Sequence, residues 1–308
     1  METWTLKTSD GEEYTFKTIN APNDFSYDGR YHLLKGATGH HGMSVKYTSD
    51  VIPNIAGEEL RDEIRPIREL YMPIRIQGIN PSDLSLNKQN LRRSLVPANI
   101  VELWITNEMG DTRVCYCKYG EGFDKAVDDD KRSPVSINIP LKLLAFDPYF
   151  YDIPGNEIVH TVDYATTVVP FFNDDSWFSP EENAAGWRLN AQGVSREWTV
   201  FNDGEEDAYP VWTITGPGVA PFLSNLTTDL SFLLDYTLSA GEIITVDMRD
   251  NAHTVDSNFV GNCRKYMDAD ARTMWPLIPG PNDLFVELPT GTSTAGVSFS
   301  FLNRWEGI

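Results

Sequence analysis

A mainly β protein in two domains is what the patterning of this chain predicts, and three observations carry the prediction. Period-two alternation of apolar and polar residues recurs in short stretches from residue 3 to residue 302, bounded by glycine, proline, asparagine or aspartate. Only one stretch, Asn80 to Pro97, has the capping signals and spacing of a helix. The length of 308 residues suits two domains at roughly 100–200 residues each. The boundary falls at residue 150, giving a first domain over 1–150 that holds the helix and a second, β-only domain over 151–308.

In the first domain, Thr3 to Lys7 and Glu13 to Lys17 alternate around Asp10-Gly11, a hairpin signal. Strands are expected at Tyr31 to Lys35 and Met43 to Tyr47, joined by the glycine-rich run Gly36 to Gly42. That run could cradle a phosphate, but no Gly-Lys-Ser/Thr follows it, and the adjacent His40 and His41 should not share one face, so a plain loop is the better reading. Leu70, Met72, Ile74 and Ile76 alternate with polar neighbours, and Pro73 suggests a strand at a sheet edge. For the helix, Asn80 can cap, Pro81 fits the first turn, Asp83 can reach back, and Leu84, Leu91 and Leu95 recur until Pro97 ends it. Asn99 to Thr106 and Thr112 to Tyr119 read as a hairpin around Asn107 to Asp111. Cys115 and Cys117 share a strand face; a zinc site would need four ligands, so reduced, half-buried cysteines are expected. Gly120 to Ser133, with its run Asp128 to Arg132, reads as a solvated loop rather than a calcium loop. Val135, Ile137, Ile139, Leu141 and Leu143 then form a long strand.

The second domain is expected to have strands at Val162 to Phe172, Trp198 to Phe201, Val211 to Thr215, Ser231 to Leu238, Ile243 to Arg249, Leu284 to Leu288 and Gly296 to Leu302. An acidic loop from Asn173 to Gly186 interrupts them. Many short strands, Gly/Pro turns and no helix argue a β-sandwich.

Composition narrows function. Hydrophobic residues at 41% and aromatics at 12% are those of a folded chain. Lys and Arg number 25 against 45 Asp and Glu, a net charge of −20, which argues against nucleic-acid binding driven by phosphates. The charge is uneven: residues 1–120 carry a net −2 and residues 121–308 a net −18. A near-neutral first part suits self-association, and an acidic second part suits a solvated module. Three cysteines imply no disulfide framework. The start lacks a basic segment followed by an apolar one, and no run approaches 18 apolar residues, so the expectation is a soluble protein made in the cytoplasm without a signal peptide.

One ordered set of motifs lies in the second domain: Asn202-Asp203-Gly204, Pro210 to Gly216 with Ile214 two residues before the glycine, Asn225-Leu226-Thr227-Thr228, Gly241-Glu242 with Ile244 and Asp247, and Pro279-Gly280-Pro281-Asn282. In this order they resemble the C-terminal part of the siphophage distal tail (Dit) proteins, components of the tail-tip ring. Phe146-Asp147-Pro148-Tyr149-Phe150 is similar to the Asp-Pro-aromatic signature between the two halves of that family, so the likeness covers most of residues 70–308. The resemblance implies a belt-like first domain with one α-helix that closes into a homo-hexameric ring. It implies a second domain that is a galectin-like or carbohydrate-module-like β-sandwich. By the same resemblance the protein is a structural hub at the distal end of a long non-contractile tail, in the virion. Its implied partners are the tail tube protein, the tape measure protein and tail-associated hub or adhesion proteins.

Neither a Gly-x-Ser-x-Gly elbow, His-Glu-x-x-His, a P-loop nor a dinucleotide fingerprint occurs. The expectation is no enzyme, with no catalytic residue, no cofactor and no metal; His32, His40, His41, His160 and His253 are too dispersed for a triad. Trp177, Trp187, Tyr149 and Tyr151 could stack on sugars, which makes a carbohydrate-binding module for host-surface recognition, with weak glycan binding, the alternative reading. A secreted glycan-active enzyme comes third. Asp147 to Tyr151 is expected to end the long strand and to anchor the second domain through its aromatics.

Overall fold

The computed structural model describes residues 2–18, 29–51, 56–124, 133–163, 168–170, 188–190, 193–289 and 294–308. The chain forms two compact units, residues 1–156 with 304–308 and residues 157–303.

The first unit is built on β1 (Thr3–Thr8), β2 (Glu13–Thr18), β3 (Tyr31–Leu33), β4 (Lys46–Val51), β5 (Glu58–Ile64), β6 (Arg68–Gln77), α1 (Pro81–Ser94), β7 (Val101–Thr106), β8 (Thr112–Glu121), β9 (Ser136–Ala145) and β10 (Phe150–Tyr151). The strands β8, β7, β1, β2, β3, β6 and β9 pair in that order, and β9 pairs again with β8, so the sheet closes on itself as a barrel. Closure removes open edges. The β1–β2 hairpin sets Trp4 opposite Phe16 and Leu6 opposite Tyr14, around a turn in which Gly11 has φ +83°. In the β7–β8 turn, Asn107 Oδ1 accepts from the N–H groups of Met109 and Asp111, each at 2.9 Å.

The helix forms as its capping signals predict. Asn80 accepts from the Asp83 N–H at 2.9 Å, and Asp83 reaches back to the Ile79 N–H at 2.9 Å. Leu91 and Leu95 go into the core, while Asn87 is buried because it donates to the Gln77 carbonyl at 2.8 Å. Trp4, Leu6, Phe16, Leu70, Met72, Ile74, Leu103, Leu141 and Leu143 share that core; each such side chain contributes about 1.5–3 kcal/mol by its burial.

Three expectations need correction here. The strand carrying Pro73 is not at an edge: β6 pairs with β3 on one side and with β9 along its whole length on the other. Pro73 is tolerated because Pro140 stands directly opposite, a position where neither residue needs an N–H for the ladder. The strand expected at Met43 begins only at Lys46, and it pairs with β5, whose sequence Glu-Glu-Leu-Arg-Asp-Glu-Ile showed no alternation. Cys115 and Cys117 are fully buried rather than half-buried.

The second unit contains β11 (Ile158–Asp163), β12 (Val168–Pro170), β13 (Arg188–Asn190), β14 (Gly193–Asn202), β15 (Val211–Thr215), β16 (Gly218–Val219), β17 (Phe222–Asn225), β18 (Leu230–Leu234), β19 (Thr237–Leu238), β20 (Ile243–Asp247), β21 (Thr254–Ser257), β22 (Gly261–Asn262), β23 (Met267–Arg272), β24 (Gly280–Pro289) and β25 (Gly296–Phe301). One sheet runs β11-β25-β15-β20-β21-β22 and another β14-β24-β17-β18-β23. Trp212, Ile214, Val246 and Phe299 from the first meet Val200, Leu223, Phe232 and Val286 from the second in one core, which makes the unit a β-sandwich. The strand expected over Ser231 to Leu238 divides into β18 and β19 because the Tyr236 N–H turns back to the Leu234 carbonyl at 2.8 Å. The acidic loop at 173–186 and the run 128–132 lie outside the described residues. A last short strand, β26 (Arg304–Trp305), returns to the first unit and pairs with β10.

Candidate functional site

The first unit is held together at one point by a buried cation bound to backbone carbonyls. Arg68, 4% exposed, donates through Nε to the Pro148 carbonyl, through Nη1 to the Gly39 and Gly42 carbonyls at 2.6 and 3.3 Å, and through Nη2 to the Glu306 carbonyl. Burial lowers its affinity for a proton from the ordinary value, with nearby Cys115 and Cys117 acting in the other direction, but a guanidinium stays charged at any physiological pH. The Phe150 ring lies 4.8 Å from it. Residues 304–308 close over the same place. Arg113 donates to the Gly307 carbonyl, Ile308 donates to the His40 carbonyl at 3.0 Å, and Trp305 donates to Asp152 at 2.9 Å.

This arrangement gives the glycine-rich run 36–42 its role. A phosphate cradle aims N–H groups at its ligand, whereas here the carbonyls of Gly39 and Gly42 face a cation. Gly39 has φ +95° and leaves no room for a side chain, since a Cβ would stand 2.2 Å from the Glu69 carbonyl oxygen. His40 and His41 do meet, with ring centroids 3.8 Å apart, contrary to the strand-like reading that put them on different faces. His40 Nε2 lies 3.2 Å from Glu2 Oε1.

The motifs that carried the family resemblance turn out to be polar staples of the sandwich. Asn202 donates to the carbonyls of Glu206 and Leu277 at 2.9 and 2.8 Å and accepts from the Gly204 N–H at 2.9 Å. Asn225 donates to Asn282 Oδ1 at 3.1 Å, and Asn282 spans its own turn through the Ile278 and Gly280 carbonyls. All three asparagines are buried. Glu242 is 1% exposed and accepts from the Tyr236 and Ser257 hydroxyls and from the Ser239 N–H. Burial alone would raise its pKa, but these hydrogen bonds hold the carboxyl below the usual range. A buried acid held by three hydrogen bonds in this way acts as a structural group of the sandwich.

Among the described residues no group of three or more His, Cys, Asp or Glu could hold a metal ion, and the three cysteines are free and buried. A cleft of about 440 Å³ is lined by Lys7, Glu13, Glu102 and Tyr116, but Lys7 is committed to Glu13 at 3.0 Å and lies over Trp104. Of the aromatics proposed to stack on sugar, Tyr149 lies under the Arg304 guanidinium at 4.0 Å and Tyr151 donates to Asp147. Both are half-buried within the first unit, where Phe150 is fully buried. Trp177 and Trp187 lie outside the described residues.

What remains uncommitted is surface. The β4–β5 hairpin is a separate two-stranded sheet, and every residue of both strands is exposed. Helix α1 leaves Leu86, Arg92 and Arg93 exposed, and Val96 follows it at 44% exposure. Sequence reasoning missed the hairpin, because charged residues crowd β5 and hide its pairing.

No protein-family model and no curated protein sequence matches the chain. Solved structures do. The crystal structure of the SPP1 Dit protein (gp 19.1), presented as a paradigm of the hub adsorption apparatus in phages that infect Gram-positive bacteria, superposes with a TM-score of 0.64 at 14% identity, covering 98% of each chain. The phage p2 baseplate in its activated conformation contains a similar chain in both its Ca and Sr forms. Their TM-scores are 0.54 and 0.53 at 10% and 9% identity, with 100% of each chain covered. The fold is therefore that of the phage Dit and baseplate hub proteins along nearly the whole chain, as the resemblance carried by its motifs implied.

Proposed function

We propose that this chain is a structural, non-enzymatic virion protein that forms a ring at the distal end of a long non-contractile phage tail and serves as the hub of the tail tip or baseplate. The observation that carries the reading is the correspondence with SPP1 Dit over 98% of both chains; a shared single domain would be far weaker support. Ring formation is assigned to residues 1–150, of which residues 1–120 carry a net charge of only −2 and include the exposed hairpin. A self-associating chain whose interface is heterologous closes into a ring when its rotation closes. The ring holds six copies and joins the tail tube and tape measure proteins to the adhesion proteins. A net charge of −20 suits a lumen that passes DNA without retaining it.

Native mass spectrometry of the full-length protein across a concentration series tests this. A single discrete closed oligomer of six copies is expected. A chain that stays monomeric at the highest attainable concentration counts against the reading.

A further inference from the structure

Two exposed apolar patches stand at opposite ends of the second unit's sandwich, and they differ in the charge around them. The first is the turn after β21. Phe259 and Val260 there are 58% and 55% exposed, and Ile243 lies beside them, since it exchanges hydrogen bonds with Asn258 at 2.8 and 3.0 Å. The turn is held from inside. Ser257 Oγ accepts from the Phe259 and Val260 N–H groups at 3.1 and 3.3 Å and donates to the buried Glu242 at 2.5 Å. A side chain presented on so fixed a backbone loses little conformational freedom when it docks. Behind the turn, Arg264 and Lys265 are exposed and take part in no ion pair among the described residues. Asp256, exposed on β21 opposite Asn262, offsets one of these two charges.

The second patch lies at the end of β14. Phe201, 58% exposed, stands opposite Pro281 on β24, and the exposed Leu226 donates through its N–H to the Asp283 carbonyl at 2.7 Å. Asp203, Asp229 and Asp283 surround these apolar groups and are exposed. Residues 197–248 hold nine Asp and Glu and neither Lys nor Arg, so nothing in that stretch neutralises this margin. Asn202 and Ala208 both donate to the Leu277 carbonyl, which puts Phe201 near the start of β15. The Phe259 turn instead lies by Ile243, opposite Thr215 at the other end of β15. Neither patch can therefore cover the other within one copy.

We propose that the Phe259–Val260 turn of one copy docks on the Phe201, Leu226 and Pro281 surface of a second copy, with Arg264 and Lys265 facing Asp203 and Asp283. The aromatic ring supplies the buried anchor, and the opposite charges fix its orientation. Because the two patches differ, the contact is head-to-tail and can continue from copy to copy around a closed ring. The inference rests on the ring reading and adds to it a contact between second units.

Full-length variants test it. Phe259→Ser, Arg264→Glu with Lys265→Glu, Asp203→Lys with Asp283→Lys, and all four charge changes together are compared with wild type by sedimentation and native mass spectrometry. Each of the first three is expected to raise the concentration at which the oligomer dissociates by at least about tenfold, and the four-charge variant is expected to recover most of the loss. Circular dichroism checks that each variant folds. A second readout is cross-linking by a short bismaleimide of protein carrying both Leu226→Cys and Val260→Cys, the native cysteines being buried. The double variant should give a ladder of covalent multimers and neither single variant should. If wild type assembles while the one-sided variants assemble equally well, or the double-cysteine protein gives no ladder, this docking is overturned and the ring stands. If wild type never assembles, the ring reading and the docking fail together.

Discussion

Replacing Arg68 by methionine should loosen the first unit more than any single apolar truncation at its surface. The side chain is 4% exposed, and its three nitrogens serve four backbone carbonyls from three separate stretches of chain, residues 39–42, 148 and 306. A hydrogen bond from a charged donor contributes about 1.5–3 kcal/mol, and a stranded buried acceptor costs about 1–3 kcal/mol. The four share one guanidinium and some will find water, so the sum is not the answer. With about half of the four acceptors left without a donor, the expected loss is about 2–6 kcal/mol. Against a total stability of about 5–15 kcal/mol, such a loss is a large fraction. Native-state hydrogen exchange reads the units separately: amides of Thr38 and Tyr71, which bond each other's carbonyls at 3.0 Å, should open more easily, while those of β20 and β24 should not change. Arg68→Lys should restore less than half the loss, because one ammonium cannot fan out to acceptors placed for a fork. If the methionine variant leaves the first unit's opening free energy within about 0.5 kcal/mol of wild type, the guanidinium is not the clasp described.

Gly39→Ala should destabilise the same unit by about 1–3 kcal/mol, since the left-handed backbone and the 2.2 Å approach of a Cβ to the Glu69 carbonyl leave no relaxed solution; urea unfolding measures it. Asn225→Ala should cost the second unit about 2–3 kcal/mol by taking the partner from the Thr227 N–H and the Pro276 carbonyl and one of the two donors from Asn282 Oδ1, read as faster exchange in β17 and β24 alone. Acid should weaken the units in sequence. Burial holds the His32 imidazole below its ordinary 6.5, so the unfolded chain takes up that proton first, and the first unit loses stability as pH falls below 6.5. Glu242 and Asp247 lie below their ordinary 4.5 and 3.8, because hydrogen bonds outweigh the burial that would raise them. Their contribution is fully present above those values and is lost as pH falls beneath them, and Glu242→Gln should flatten that part of the curve for the second unit.

What could be read from the sequence was whatever depends on near neighbours. Trp4 and Leu6 against Tyr14 and Phe16, the Asn80 cap and the Asn107 turn all form because residues within one or two turns of each other favour them. What could not be read was what distant parts of the chain supply. Nothing in Arg65-Pro66-Ile67-Arg68 marks the second arginine as buried, because its acceptors come from positions 29 residues before it and 238 after it. Pro73 signalled an edge until Pro140 was found opposite. The motif asparagines were legible as turn residues, but their joint burial depends on three loops meeting. The β4–β5 hairpin was hidden for a different reason: a strand exposed on both faces has no apolar alternation to display.

The central claim is that this chain closes into the hub ring at a phage tail tip. A three-dimensional electron-microscopy reconstruction of the tail tip in particles that carry the protein tests it most directly. The account predicts a ring of six copies at the end of the tail tube. A tail tip in which this chain occurs as a single copy, or from which it is absent, would contradict it.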